Sequence, residues 1–201
     1  MKLRITIRYL ILTALALIFA AISSHARAAY VLTLQQTAGN VVATGSGSFN
    51  LTALTLNDAG DVGVAANFFP SLAQAIVGVP STSTDLYQGI SGPGSFGSGS
   101  SIEFANSAGG DVSGVDDAQI LFVPAGYTSG ALLSGSATWD SATFSSLGIT
   151  PGTYTWTWGS GATADSFTMN VSTGAVPEPS TWVMLLSGAG MLIYFRSRRG
   201  R

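Results

Sequence analysis

Between residues 29 and 175 the ionisable side chains suited to acid–base or ligand chemistry near neutral pH are Asp58, Asp61, Asp85, Glu103, Asp111, Asp116, Asp117, Asp140 and Asp165. No lysine, arginine or histidine accompanies them, and the chain contains no cysteine. A pair of carboxylates across a cleft would be the minimum for glycoside hydrolysis, one as acid and one as base or nucleophile. Two local groups stand out: Asp111, Asp116 and Asp117 within GGDVSGVDDAQ, and Asp58 and Asp61 within NDAGD. Carboxylates joined by backbone carbonyls form Ca²⁺ sites. Neither group has EF-hand spacing, and both are rich in residues that make turns. The expectation is therefore solvated turns and no obligatory cofactor, with Ca²⁺ as the one cation the composition suits. Tyr154, Trp156 and Trp158 share one face of a strand pattern and invite a reading as a sugar-stacking platform. Threonines 153, 155 and 157 occupy the other face, which points to the aromatics as an inward core stripe.

The missing residue types exclude more than the present ones assert. The chain's eight Lys and Arg are Lys2, Arg4, Arg8, Arg27, Arg196, Arg198, Arg199 and Arg201, all at its two ends, and its single histidine is His25. A body without bases has no means of neutralising phosphates, so nucleic acid is not a partner. Ser-His and Cys-His nucleophiles cannot be assembled within it. Imidazole and thiolate ligands for zinc or copper are lacking. What remains is carboxylate, hydroxyl, amide and aromatic chemistry.

The elements that must carry these groups read as all-β: a single β-sandwich-like domain with short helical turns over residues 29–171, followed by a linker at 172–175. Val31 to Gln36 and Val41 to Leu51 flank Ala38-Gly39-Asn40, a hairpin turn. In the second run Val41, Ala43, Gly45, Gly47, Phe49 and Leu51 fall on one face and Val42, Thr44, Ser46 and Ser48 on the other, the period of a half-buried strand. Leu51 to Leu56 extends toward a turn at Asn57 to Asp61. Phe68 to Val79 admits a short helix with Pro70 in its first turn. Ser91 to Ser101 is glycine- and serine-rich and reads as a flexible loop. Ser101 to Asn106 and Ala118 to Val123 read as strands. Ser141 to Leu147 suits one or two helical turns, with Asp140 capping the start and Gly148 the end. Thr153 to Trp158 is the clearest strand, and Ser166 to Val171 pairs with it as a hairpin.

Both ends read as addresses. Residues 1–28 have the form of a secretory signal peptide: Lys2, Arg4 and Arg8, then an apolar run from Tyr9 to Ile22, then Ala26 and Ala28 at the positions signal peptidase requires. An uncleaved N-terminal anchor is the alternative, but the run is short for a bilayer span. Residues 176–201 contain Pro177-Glu178-Pro179, an apolar stretch from Thr181 to Phe195, and the basic end Arg196, Arg198, Arg199 and Arg201. As a helix the apolar stretch would span roughly 22 Å, somewhat less than the ~30 Å hydrocarbon core. Arginines that snorkel make up part of the difference, and their charge keeps that end cytoplasmic. A permanent C-terminal anchor is the alternative to a processed tail.

These two ends together resemble the PEP-CTERM proteins of Gram-negative bacteria. The resemblance rests on the ordered tripeptide, apolar segment and basic end, and covers about 26 residues plus the signal. It implies export across the inner membrane, anchoring by the C-terminal helix, and processing by an exosortase near Pro177, Glu178 and Pro179. It further implies release to the surface or extracellular matrix and association with exopolysaccharide and biofilm. Ala142 to Val171 also looks like a stretch found before the tail in some such proteins of unassigned function, and implies no activity. The function expected is a non-enzymatic surface or matrix protein, with a polysaccharide-binding module or carboxylate-based polysaccharide-acting enzyme as the alternative.

Overall fold

The computed structural model describes residues 29–173, apart from 61, 62, 82 and 118. The signal segment with Ala26 and Ala28, the sorting tripeptide, the apolar tail and its basic end therefore lie outside the described residues.

The described chain is all-β, as expected, and its strands form two sheets. One has six strands in the order β12-β13-β1-β2-β11-β8, and the other seven in the order β3-β6-β10-β9-β5-β4-β7. In chain order they are β1 (Ala29–Thr37), β2 (Asn40–Gly47), β3 (Thr55–Asp58), β4 (Asn67–Phe69), β5 (Gln74–Val77), β6 (Thr84–Gln88) and β7 (Glu103–Phe104). There follow β8 (Ser107–Gly110), β9 (Ser113–Asp116), β10 (Ile120–Pro124), β11 (Leu133–Trp139), β12 (Gly152–Trp158) and β13 (Asp165–Ser172). The first and last strands are neighbours and parallel, Ala29 beside Ser166 and Gln35 beside Ser172.

Period-two patterning decides which face each sheet buries. Along β1, Tyr30, Leu32 and Leu34 are buried; along β13, Phe167, Met169 and Val171 are. Both sheets contribute to one core. Phe68 of β4 stacks on Trp139 of β11 at a ring separation of 4.1 Å, and Tyr30 of β1 meets Ser113 of β9. Two sheets sharing a core are consistent with the sandwich expected. The seven-stranded sheet has a second, smaller apolar cluster of Ile76, Leu86, Val112 and Phe122, with Val64 and Ile120 packed against it.

The β1–β2 hairpin turns at Ala38 and Gly39, both with positive φ (52° and 83°), the geometry of a two-residue hairpin whose twist suits its strands. The β12–β13 hairpin is also as expected. Several boundaries differ. β2 stops at Gly47 rather than Leu51, because residues 51–53 form a 3₁₀ turn that Asn50 caps by accepting from Thr52 N–H. β3 runs to Asp58, so the expected turn at Asn57 begins two residues later. The helix considered for Phe68 to Val79 is a single 3₁₀ turn, Pro70–Leu72, between β4 and β5; Ala73 leaves it in the left-handed region at φ 55°. Residues 141–147 form turns without a helix: Thr143, not Asp140, accepts from the Ser146 N–H, and Gly148 closes the turn at φ 64° as expected. Ser172 belongs to β13 rather than to the linker.

The serine- and glycine-rich segment from Ser91 to Ser101 is a loop, but one bound to the core. Phe96 is buried and T-stacked on Phe68. Its N–H donates to Pro70 O, and Thr150 N–H donates to Phe96 O, both at 2.9 Å.

Candidate functional site

Each structurally described carboxylate has a particular place, and backbone amides hold several of them. Asp165 opens β13 facing inward and is buried; it accepts from Asn50 N–H at 2.6 Å and from Ser166 N–H at 2.7 Å. Burial pushes its carboxyl above the ordinary value, against the pull of those two amides. Asp85 on β6 is also buried and accepts from Gly126 N–H at 2.9 Å, fastening the loop after β10. Asp111, between β8 and β9, accepts from Ser134 N–H at 2.9 Å. Glu103 accepts from Ser101 Oγ at 2.6 Å. Asp116 ends β9, and Asp117 follows in the left-handed region at φ 47°. Asp116 is raised first by burial and then by the neighbouring Asp117 charge.

The convergence considered for Asp111, Asp116 and Asp117 does not occur. Asp111 precedes β9, Asp116 ends it and Asp117 follows it, and an extended strand of that length separates its ends by about 10 Å. Among the described residues no three acidic or imidazole groups come together as a metal site would need. The segment GGDVSGVDDAQ was expected to be turns; it instead supplies β8 and β9, with Ser113, Gly114 and Val115 buried.

The aromatic stripe lies in the core. Trp156 is 0% and Trp158 5% exposed. Trp158 Nε1 donates to Asn50 O at 2.8 Å, and Trp156 makes a T-shaped contact with Phe167. Tyr154 is half-buried and donates to Thr150 O at 2.9 Å. These rings cannot present a stacking platform to a sugar.

An open depression of ≈ 430 Å³ lies where β13 ends, bordered by Gln36, Ser98, Phe144, Ser145, Pro151 and Thr173. No carboxylate lines it.

The sequence names Asp85 and Asp165 only among the nine carboxylates and gives no sign that they, or Tyr30, are buried polar anchors. Their burial depends on partners far along the chain, as in the Asp165 contact with Asn50, and local composition carries no signal of it.

Comparison of the chain with curated proteins and with solved structures finds no match. Residues 175–199 match the family model of the PEP-CTERM protein-sorting motif. The tail therefore carries the PEP-CTERM sorting motif, which implies export, a membrane-anchored C-terminal sorting signal and an exosortase as the processing partner.

Proposed function

We propose that the body is a non-enzymatic surface or extracellular-matrix component. Signal peptidase acts after Ala28, the helix at about 181–195 holds the chain in the membrane, and an exosortase then acts near Pro177-Glu178-Pro179 and releases the body to associate with exopolysaccharide in a biofilm. The observation that carries this reading is the use made of the carboxylates. Asp85, Asp111 and Asp165 are tied singly to backbone amides of distant segments, which is the work of loop fasteners. With no lysine, arginine or histidine among the described residues to hold an anion or pair with a hydroxyl nucleophile, and with its buried carboxylates engaged by backbone amides, the body supports contact by hydroxyls and amides over catalysis.

The test is mass spectrometry of the chain recovered from an exosortase-bearing host and from the same host without the enzyme. Loss of the basic end only where the enzyme is present, with the body in the extracellular matrix fraction, is the expected result. An intact C-terminus at Arg201 in both hosts would make the tail a permanent anchor.

A further inference from the structure

The outer face of the six-stranded sheet is an uncharged field of hydroxyls and amides. Register places Thr153, Asn170, Thr33, Thr44 and Ser136 side by side across five strands. A second row runs Thr155, Thr168, Val31, Ser46 and Ser134. Not one residue of these rows is buried, and none is charged. Most described carboxylates stand off these rows: Asp58, Asp85, Glu103 and Asp116 on the seven-stranded sheet, Asp117 and Asp140 in turns, and Asp165 buried; Asp111, in the link between β8 and β9, accepts from the Ser134 N–H at the end of the second row.

We propose that this face binds an extended, uncharged polysaccharide lying across the strands. The proposal rests on the matrix reading above and narrows it to a class of glycan. Three physical arguments select the occupant. Neighbouring strands stand about 4.8 Å apart, close to the length of one pyranose unit in a ribbon-like chain, so successive sugars meet successive strands. Short side chains of threonine and serine offer both donor and acceptor and lose little freedom when they are held. The third argument is electrostatic: a body with carboxylates and no base repels a polyuronate or sulfated chain, whereas an uncharged glycan meets no such barrier and finds no unpaired charge to desolvate. Single hydroxyl contacts exchange for water at little gain, so affinity comes from several rows engaged along one chain.

The test is co-sedimentation of the full chain, in a mild non-ionic detergent, with swollen cellulose as the uncharged ribbon-like probe and alginate as the acidic one. Wild type is expected to sediment with cellulose and not with alginate. Thr33→Asp and Thr44→Asp, at the centre of the first row, should each weaken cellulose binding by roughly tenfold or more, while Leu132→Asp, in an exposed loop off this face, should not. If either central variant fails to give the wild-type circular dichroism spectrum, Ser46→Asp in the second row takes its place. Absence of sedimentation with cellulose, equal sedimentation with alginate, or folded face variants that bind like wild type would overturn the proposal. Those results leave the exosortase reading intact, because it fails only on an unprocessed C-terminus.

Discussion

Ser113 Oγ on β9 donates to Tyr30 Oη on β1 at 2.6 Å, joining the two sheets by a buried polar contact. Both residues are 0% exposed. Removing one partner strands the other away from water, which costs about 1–3 kcal/mol. Tyr30→Phe and Ser113→Ala should each lower stability by that amount. The double variant should lose less than the sum, since no orphaned group is left. Chemical denaturation of the four proteins measures the cycle, and strict additivity would show that the contact is energetically idle.

The same tyrosine sets an alkaline limit. Burial pushes its pKa up to about 12; the Ser113 hydrogen bond opposes this and the Asp111 charge adds to it. A raised folded pKa means that the folded state holds the proton more tightly than the unfolded one. The associated stability is fully present below pH 10 and is lost as pH rises from 10 to about 12, a decline of about 2–3 kcal/mol. Tyr87 and Tyr127 are also raised, with burial the first cause in each, so Tyr30→Phe should flatten only part of the decline. An unchanged slope in denaturation midpoints over that window would exclude Tyr30 as a contributor.

Acid should act in the opposite sense to ordinary acid denaturation. Asp116 and Asp165 are both raised, burial being the first cause in each. Between those raised values and their ordinary 3.8, the folded state binds more protons than the unfolded chain, so stability rises as pH falls through that window. No lysine, arginine or histidine lies among the described residues to lose an ion pair on protonation, and neutralising carboxylates also relieves self-repulsion. Thermal midpoints should therefore climb as the pH is lowered from 7 toward 4. A falling midpoint over that range would contradict the assignment.

How much of this could be read beforehand depended on whether a strand announced its period. β12 did, since Trp156 and Trp158 alternate with threonines. β11 did not, because Gly135 and Ala137 are two of its inward residues and small side chains give no apolar signal. At those positions close approach replaces bulk: a side chain on Gly135 would run into Asp111 O. β5 was obscured for the opposite reason. Ala75, Ile76 and Val77 are all buried, because Ile76 belongs to the cluster on the other face of its sheet, and an unbroken apolar run cannot be told from a helix by period alone. The hydroxyl rows of the candidate face were half-visible. Thr153 and Thr155, like Thr44 and Ser46, showed as the polar sides of their strands, but only the register sets them beside one another.

The loop between Ser91 and Ser101 illustrates what composition conceals, and two of its glycines should respond differently to the same change. A side chain at Gly92 would meet the ring and backbone of Trp156, whereas Gly94 has open space. Gly92→Ala should cost about 1–3 kcal/mol by overpacking. Gly94→Ala should stay within about 0.5 kcal/mol of wild type. Equal effects in thermal unfolding would mean that this loop does not pack against Trp156 in solution.

Dispersal of the acids bears on Ca²⁺. Because β9 parts Asp111 from Asp116 and Asp117, Ca²⁺ would find at most neighbouring pairs there, short of the six or more oxygens it takes in a protein site. Screening of like charges is then the main effect of any salt. Ca²⁺ should raise the thermal midpoint no more than sodium chloride of matched ionic strength; a larger rise would require a site assembled from other carboxylates.

The parallel pairing of β1 with β13 sets the pole of the body from which the tail leaves. Ala29 lies beside Ser166 and Ser172 beside Gln35, so the two ends of the body leave from opposite poles, about 20 Å apart along the strands. From Ser172 to Thr181, where the apolar segment begins, a fully extended chain reaches about 30 Å at most. While the tail is anchored, the pole containing Gln36, Ser145 and Thr173 is expected to lie nearer the membrane on average than the pole containing Ala29, Gly47 and Leu132. A chain without cysteine allows this to be measured directly. Ser145→Cys at the near pole and Leu132→Cys, 85% exposed at the far one, can each be labelled with one fluorophore in the full chain reconstituted in vesicles with a headgroup quencher. The near label should be quenched more strongly than the far one. Lengthening the segment after Thr173 with a flexible insert should reduce that difference, because a longer tether lets the body tumble. Equal quenching at both positions without an insert would mean that the tether does not orient the body.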